Sequence, residues 1–96
     1  MSLTYEWDDA KARANERKHG VSFEEARTVF LDAYALHVYD GPHSWEEDRS
    51  IIIGTSLRER ILAVVYVERT GETLRLISAR RATLRERRTY EEKASR

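Results

Sequence analysis

Between residues 75 and 88 the chain reads Arg75-Leu76-Ile77-Ser78-Ala79-Arg80-Arg81-Ala82-Thr83-Leu84-Arg85-Glu86-Arg87-Arg88. Guanidinium groups stay charged at any physiological pH and grip phosphate oxygens two at a time. Several of them on one surface suit an RNA backbone or a five-coordinate phosphorane. Strand alternation puts Arg75 and Arg81 on one side and Arg80 on the other, unless the strand ends or bulges before Arg80. Arg80, at the strand end, is the arginine assigned to chemistry, and Arg75, Arg81 and Arg85 are assigned to backbone contacts. Arg87 and Arg88 read as surface ion-pair partners for glutamates such as Glu91.

A second group of reactive side chains lies in His43-Ser44-Trp45-Glu46-Glu47-Asp48-Arg49. His43 or Glu47 beside Arg49 has the chemistry to take a proton from a ribose 2′-OH while the guanidinium stabilises charge on phosphorus. The same composition also suits a solvated acidic loop. Lys11, Asn15 and Lys18 fall at i, i+4 and i+7, so they line one helix face, which is either solvated or turned to a ligand. No metal site is expected. The chain has no Cys, its three His lack HxH or HExxH spacing, and His37 reads as a half-buried strand residue. A Gly-rich phosphate loop and a G-x-S-x-G elbow are both absent, which argues against a nucleotide-binding enzyme or an α/β-hydrolase.

The elements that must carry these residues fit in 96 residues, enough for one domain with one modest core. No apolar run approaches the ~20 residues of a membrane span, and no signal-peptide core is present. The lack of Cys fits a reducing cytoplasm. A net charge of zero hides a division: residues 1–48 carry 5 basic and 11 acidic side chains, residues 49–96 carry 12 and 6. A basic half points to a polyanionic partner.

Leu3 to Trp7 predicts a short edge strand. Asp8 caps a helix to His19, closed by Gly20, with Trp7 as the large contact beside an alanine stripe. Ser22-Phe23-Glu24-Glu25 is a capping box opening a second helix to Leu31, and Asp32-Ala33 turns the chain. Strands follow at 36–39, ended by Asp40-Gly41-Pro42, and at 49–54, 60–69 and 72–81, the last three as an antiparallel meander. Thr83-Leu84-Arg85-Glu86 is a second capping box, opening a helix to Lys93. The result is an α+β domain, β-α-α-β-β-β-β-α, with an antiparallel sheet packed by helices on one face.

Taken together these segments resemble the BrnT toxin family. The similarity runs through Tyr5-Glu6-Trp7-Asp8, Lys11, Asn15, Lys18-His19-Gly20-Val21-Ser22-Phe23-Glu24-Glu25-Ala26 and Val29-Phe30-Leu31-Asp32. It continues through His43-Ser44, Glu47, Arg49 and Ile53-Gly54-Thr55-Ser56. It ends with Arg75, Ile77-Ser78-Ala79-Arg80, Ala82-Thr83, Arg85-Glu86-Arg87 and Tyr90-Glu91. The resemblance implies a RelE-like fold and the ribonuclease toxin of a type II toxin–antitoxin pair. It further implies cleavage without metal or cofactor, translation arrest, and neutralisation by BrnA, a ribbon-helix-helix DNA-binding antitoxin. On that reading Arg80 and Arg49 stabilise the phosphorane, His43 or Glu47 is the base, and Lys18 and His19 hold or protonate the substrate. Lys11, Arg75, Arg81 and Arg85 bind RNA, and DNA is reached only through the antitoxin.

The competing reading is a non-catalytic RNA-binding or protein-interaction module. Its aromatic stacking platforms would be only Tyr66 and Tyr39. A DNA-binding repressor fits less well, because Glu24-Glu25 at the start of the second helix would repel phosphates.

Overall fold

A computed structural model describes residues 3–41 and 49–95. Strand β1 (Thr4–Glu6) leads to helix α1 (Asp9–His19) and helix α2 (Phe23–Ala26), which tightens into a 3-10 turn (Arg27–Leu31). Strands β2 (Leu36–Gly41), β3 (Arg49–Thr55), β4 (Ile61–Glu68) and β5 (Thr73–Arg81) follow, then helix α3 (Leu84–Ala94). Helix α1 is capped as its residues dictate: the Asp8 carboxylate accepts from Lys11 N at 3.0 Å, and Gly20 closes the helix at φ 70°.

The five strands form one sheet in the order β1-β5-β4-β3-β2. The sheet is mixed rather than wholly antiparallel, because β1 runs parallel to β5. Hairpin-length turns impose antiparallel pairing, and β1 reaches β5 only after the rest of the chain has intervened. Strand β2 also runs on through Gly41, two residues past the expected stop, with a register shift between Tyr39 and Gly41.

One sheet face, with Ile52, Leu62, Val64, Tyr66, Leu74, Leu76 and Ala79, packs on Val21, Phe23, Ala26 and Val29. Trp7 meets Phe23 edge-on at 5.8 Å and Phe30 meets Tyr66 at 5.1 Å. The opposite face is not bare. Ile53 and Ala63 pack there against Tyr90 of α3, with Leu36, Ile51, Ile61, Ala82 and Ala94 around them. Helices therefore cover both faces, not one. The run Ile51-Ile52-Ile53 accords with this, since a strand apolar at every position is one covered on both sides.

Asn15 is the polar residue that ties α1 to the sheet. It is buried, and its amide donates to Ala79 O (2.8 Å) and Val21 O (3.0 Å) and accepts from Ala79 N (3.1 Å). The side chain thus pairs with β5 as a neighbouring strand would, just past the point where β1 stops. The stripe Lys11-Asn15-Lys18 is accordingly split: its middle member faces inward, while Lys11 and Lys18 are exposed.

Glu25 corrects the first capping box. Ser22 Oγ accepts from Glu25 N (3.1 Å), but the carboxylate turns inward instead of reaching back. It accepts from Arg60 Nε (2.9 Å), from Arg60 Nη2 and from Ser56 Oγ (2.7 Å), and Arg60 also donates to Gly20 O (3.1 Å). A buried charge gains more from a guanidinium than from a backbone N–H. Helix α2 is short for a related reason: Thr28 Oγ1 donates to Glu25 O (2.7 Å) while accepting from Leu57 N (2.9 Å).

Two outcomes follow. Asn15→Ala strands Val21 O and both Ala79 backbone groups inside the protein, so it should lower the unfolding free energy in urea by about 2–4 kcal/mol. The Arg60 hydrogen bonds, helped by Ser56, hold the Glu25 carboxyl below the usual glutamate range although burial pushes it up. A folded pKa below the unfolded one gives stability that is complete above about pH 4.3 and is lost as pH falls through the folded value. Urea midpoints should fall below about pH 4.3, and less steeply for Glu25→Gln, which starts lower at neutral pH.

Candidate nucleic-acid interface

The pairing of β4 with β5 decides which arginines share a surface. Val65 stands opposite Ser78 but Tyr66 stands opposite Leu76, so Ile77 is an extra residue and β5 bulges there. Opposed residues point the same way, so Arg75 (against Val67), Ser78 (against Val65) and Arg80 (against Ala63) lie on the α3 face. Arg81, opposite Leu62, points to the other side. Uninterrupted alternation would have joined Arg75 to Arg81; the bulge joins it to Arg80. Arg49 opens β3 two residues before Ile51, which opposes Val65, and so falls on the same face.

Each arginine of this face has a distinct electrostatic setting. Arg80 forms a two-pronged ion pair with Glu86, Nη1 to Oε1 at 2.7 Å and Nη2 to Oε2 at 3.0 Å. Glu86 Oε1 also accepts from Thr83 N (2.8 Å), and Thr83 Oγ1 accepts from Glu86 N (3.2 Å), completing the capping box of α3. One carboxylate therefore caps the helix and fixes the arginine. Hydrogen bonding to Arg80 lowers the Glu86 pKa against the effect of its burial, and Glu86 raises that of Arg80 in return. Arg75 pairs with Glu6 of β1 at 3.0 Å. Arg49 carries a buried Nε with no hydrogen-bond partner among the described residues, an atom whose burial has a cost until something accepts from it.

The position of Glu86 depends on α3, which is pinned at its far end. Tyr90 Oη donates to Asp32 Oδ2 and lies 2.8 Å from Thr55 Oγ1, and Asp32 also accepts from Thr55 N (2.8 Å) and Tyr34 N (2.9 Å). Burial pushes the Asp32 carboxyl up, but these donors outweigh it and leave its pKa lowered. Gly54 makes room for this junction: a Cβ there would come within 3.0 Å of both Ala35 Cβ and Asp32 Oδ2.

The remaining sequence candidates are dispersed. Arg85 is exposed and lines a groove of about 260 Å³ with Leu36, Val38, Ile51, Ile53, Glu86 and Thr89. Lys11 and Lys18 are exposed and His19 half-buried on α1, which packs on the face opposite Arg75 and Arg80. His43 and Glu47 lie outside the described residues. His37 is exposed rather than half-buried, with Nδ1 3.3 Å from Tyr66 Oη. Tyr66 is itself buried on the helix-packed face and offers no stacking platform. The contribution of Glu6 was not anticipated; Glu86 was marked by its spacing from Thr83 as a cap and by its charge as an ion-pair partner for the arginines of this segment. Among the described residues no group of three or more His, Asp or Glu is placed to hold a metal ion, and no helix is long and apolar enough to cross a membrane.

The molecule is thus an α+β domain with a five-stranded mixed sheet and an arginine-bearing face bordered by a C-terminal helix. The family described as "Ribonuclease toxin, BrnT, of type II toxin-antitoxin system" matches residues 7–86, and the chain belongs to that family. Its structure is similar to the crystal structure of the Brucella abortus ribonuclease toxin BrnT, with a TM-score of 0.65 and 26% identity. The match covers 85% of this chain and 99% of that one. No protein of curated function matches the chain. Membership of a ribonuclease toxin family implies an RNA substrate and an antitoxin partner.

The double duty of Glu86 is separable. Glu86→Gln retains an acceptor for Thr83 N and should reduce stability by no more than about 1 kcal/mol. Glu86→Ala loses cap and ion pair together and should cost about 1–2 kcal/mol; urea denaturation of the two variants measures the difference.

Proposed function

We propose that this chain is a metal-independent endoribonuclease of the cytoplasm with a RelE-like fold, which arrests translation and is neutralised by a BrnA-like ribbon-helix-helix antitoxin. The observation that carries the reading is the placement of Arg80 on one sheet face with Arg75 and Arg49, its guanidinium plane held by Glu86. With Nη1 and Nη2 turned to Glu86, the Nε edge is the part offered to a phosphate oxygen. A side chain fixed before the substrate arrives needs little reorganisation as charge builds on phosphorus. Arg49, whose Nε lacks an acceptor among the described residues, stands two strands away from Arg80, beside the row of Val67 and Arg75 at the other end of the face.

The reaction is attack of a ribose 2′-OH on the adjacent phosphate. His43 or Glu47 takes the hydroxyl proton, the phosphorane charge falls on Arg80, Arg49 at the far end of the face meets a flanking phosphate, and the 5′-oxygen leaves with a proton drawn from water. Arg75 and Arg85 hold flanking phosphates along the same face. Lys11, Lys18 and His19 sit on the helix across the sheet and contact RNA only beyond the reacting group. A binding role without cleavage is the second reading. It is favoured by one observation: Arg75 and Arg80 each already carry a carboxylate, Glu6 and Glu86.

The purified chain, incubated with RNA in EDTA, should yield defined fragments. Arg80→Ala should slow cleavage by about 10²–10³-fold while leaving the fold intact by circular dichroism. Uncleaved RNA that is nevertheless tightly bound would favour the binding module, and cleavage unaffected by Arg80→Ala would remove Arg80 from the chemistry.

A further inference from the structure

The end of the sheet, where β5 finishes and β4 begins, holds a hollow of about 380 Å³ lined by Glu59, Arg60, Ile61, Arg81, Ala82 and Arg87. Its charges are unevenly compensated. Arg60 is committed to Glu25 and Gly20 O. Arg87 has only a long contact to Glu91, at 3.8 Å, between exposed side chains, an arrangement worth little in water. Arg81 has no carboxylate against it among the described residues. Glu59 is the one acid on the rim. It sits at φ 63°, the sole non-glycine residue with positive φ among the described residues. The β3–β4 hairpin requires this conformation: Glu59 N donates to Ser56 O and Ser56 N to Arg60 O, each at 2.8 Å, so Glu59 is the left-handed third residue of the loop.

We propose that this hollow is a second phosphate site for the RNA strand, held by Arg81 and Arg87 and distinct from the phosphate that Arg80 engages. The proposal rests on the ribonuclease reading and extends it, because it sets the path of the substrate. The Ile77 bulge turns Arg80 to the α3 face and Arg81 to the opposite side. Consecutive guanidinium groups therefore straddle the end of β5. An RNA strand crossing that end meets Arg80 on one side and enters the hollow at Arg81 on the other. Arg87 follows Glu86 on α3, so the helix residue that fixes Arg80 is next to the one that closes the hollow. A concave, polar recess with Arg81 and the loosely paired Arg87 on its wall suits a phosphodiester, which presents two oxygens and a single charge. Arg87, read from sequence as a surface ion-pair residue, acquires a substrate contact here.

The test uses a single-stranded RNA oligonucleotide spanning a mapped cleavage position, with a 2′-deoxy sugar there so that it binds without reacting. Its affinity is measured by fluorescence anisotropy over a series of salt concentrations. The Arg81→Gln/Arg87→Gln double variant should bind at least several-fold more weakly at low salt. Its plot of log affinity against log salt should be shallower by about 0.7 for one lost single-strand phosphate contact. Glu59→Gln, which removes the opposing charge and leaves the backbone conformation as it is, should bind more tightly than the unaltered protein. Single-turnover cleavage at subsaturating RNA should fall in the double variant by the same several-fold factor as its affinity, in contrast to the 10²–10³-fold loss expected for Arg80→Ala. An unchanged salt slope, with Arg80→Ala still abolishing cleavage, overturns the hollow as a phosphate site and leaves the ribonuclease reading standing. An unaltered protein that neither binds nor cleaves RNA overturns both. Loss of antitoxin binding without loss of RNA affinity assigns the hollow to a protein and likewise overturns the proposal.

Discussion

The register of β4 against β5 slips by one residue at Ile77, and the surface chemistry of the molecule follows from that slip. Strand geometry gives a side chain two choices of face, and the bulge switches the choice for every residue after it. Without it Arg80 would point toward the packed helices, where a guanidinium would need a buried partner. With it, Arg75, Ser78 and Arg80 share the face bordered by α3, and Glu86 stands ready to hold Arg80. The apolar pattern survives the slip because Leu74, Leu76 and Ala79 remain on the helix-packed side.

The charge division along the chain is resolved in the fold by pairing across it. Glu6 and Glu25 of the acidic half meet Arg75 and Arg60 of the basic half, so part of the apparent dipole is consumed as structure. Of the guanidinium groups outside those two pairs, Arg81 and Arg87 line the hollow at the end of the sheet and Arg85 the groove beside α3. Net charge by segment therefore indicated a partner, but which arginines remain for that partner depends on pairings between residues as far apart as Glu6 and Arg75.

Much of the architecture was legible because it rests on local signals. Asp8, Gly20 and the Thr83–Glu86 spacing located helix ends, and β-branched runs located the strands. What escaped was set by long-range contacts. Parallel pairing of β1, the inward turn of Glu25, the burial of Asn15 and the α3 cover on the second face all depend on partners distant in sequence. The candidate site was legible as a set of arginines, but not as an arrangement. Parity counting joined Arg75 to Arg81 unless a bulge came before Arg80, and nothing in Leu76-Ile77-Ser78 marks that one does. The carboxylates that hold Arg75 and Arg80 were visible as charges without an address.

The amide of Asn15 has a consequence for how the sheet meets other molecules. By satisfying both backbone groups of Ala79 it ends the ladder on that border, so an extended segment from another chain finds no free donor and acceptor pair there. Unblocked strand borders invite such additions, whether as useful docking or as unwanted self-association. Among the described residues, the borders left with an open ladder are those of β2, at the far side of the sheet, and of the three-residue β1. One side-chain amide thereby keeps the exposed ladder on the α1 side of the sheet short, and leaves the longer one on β2.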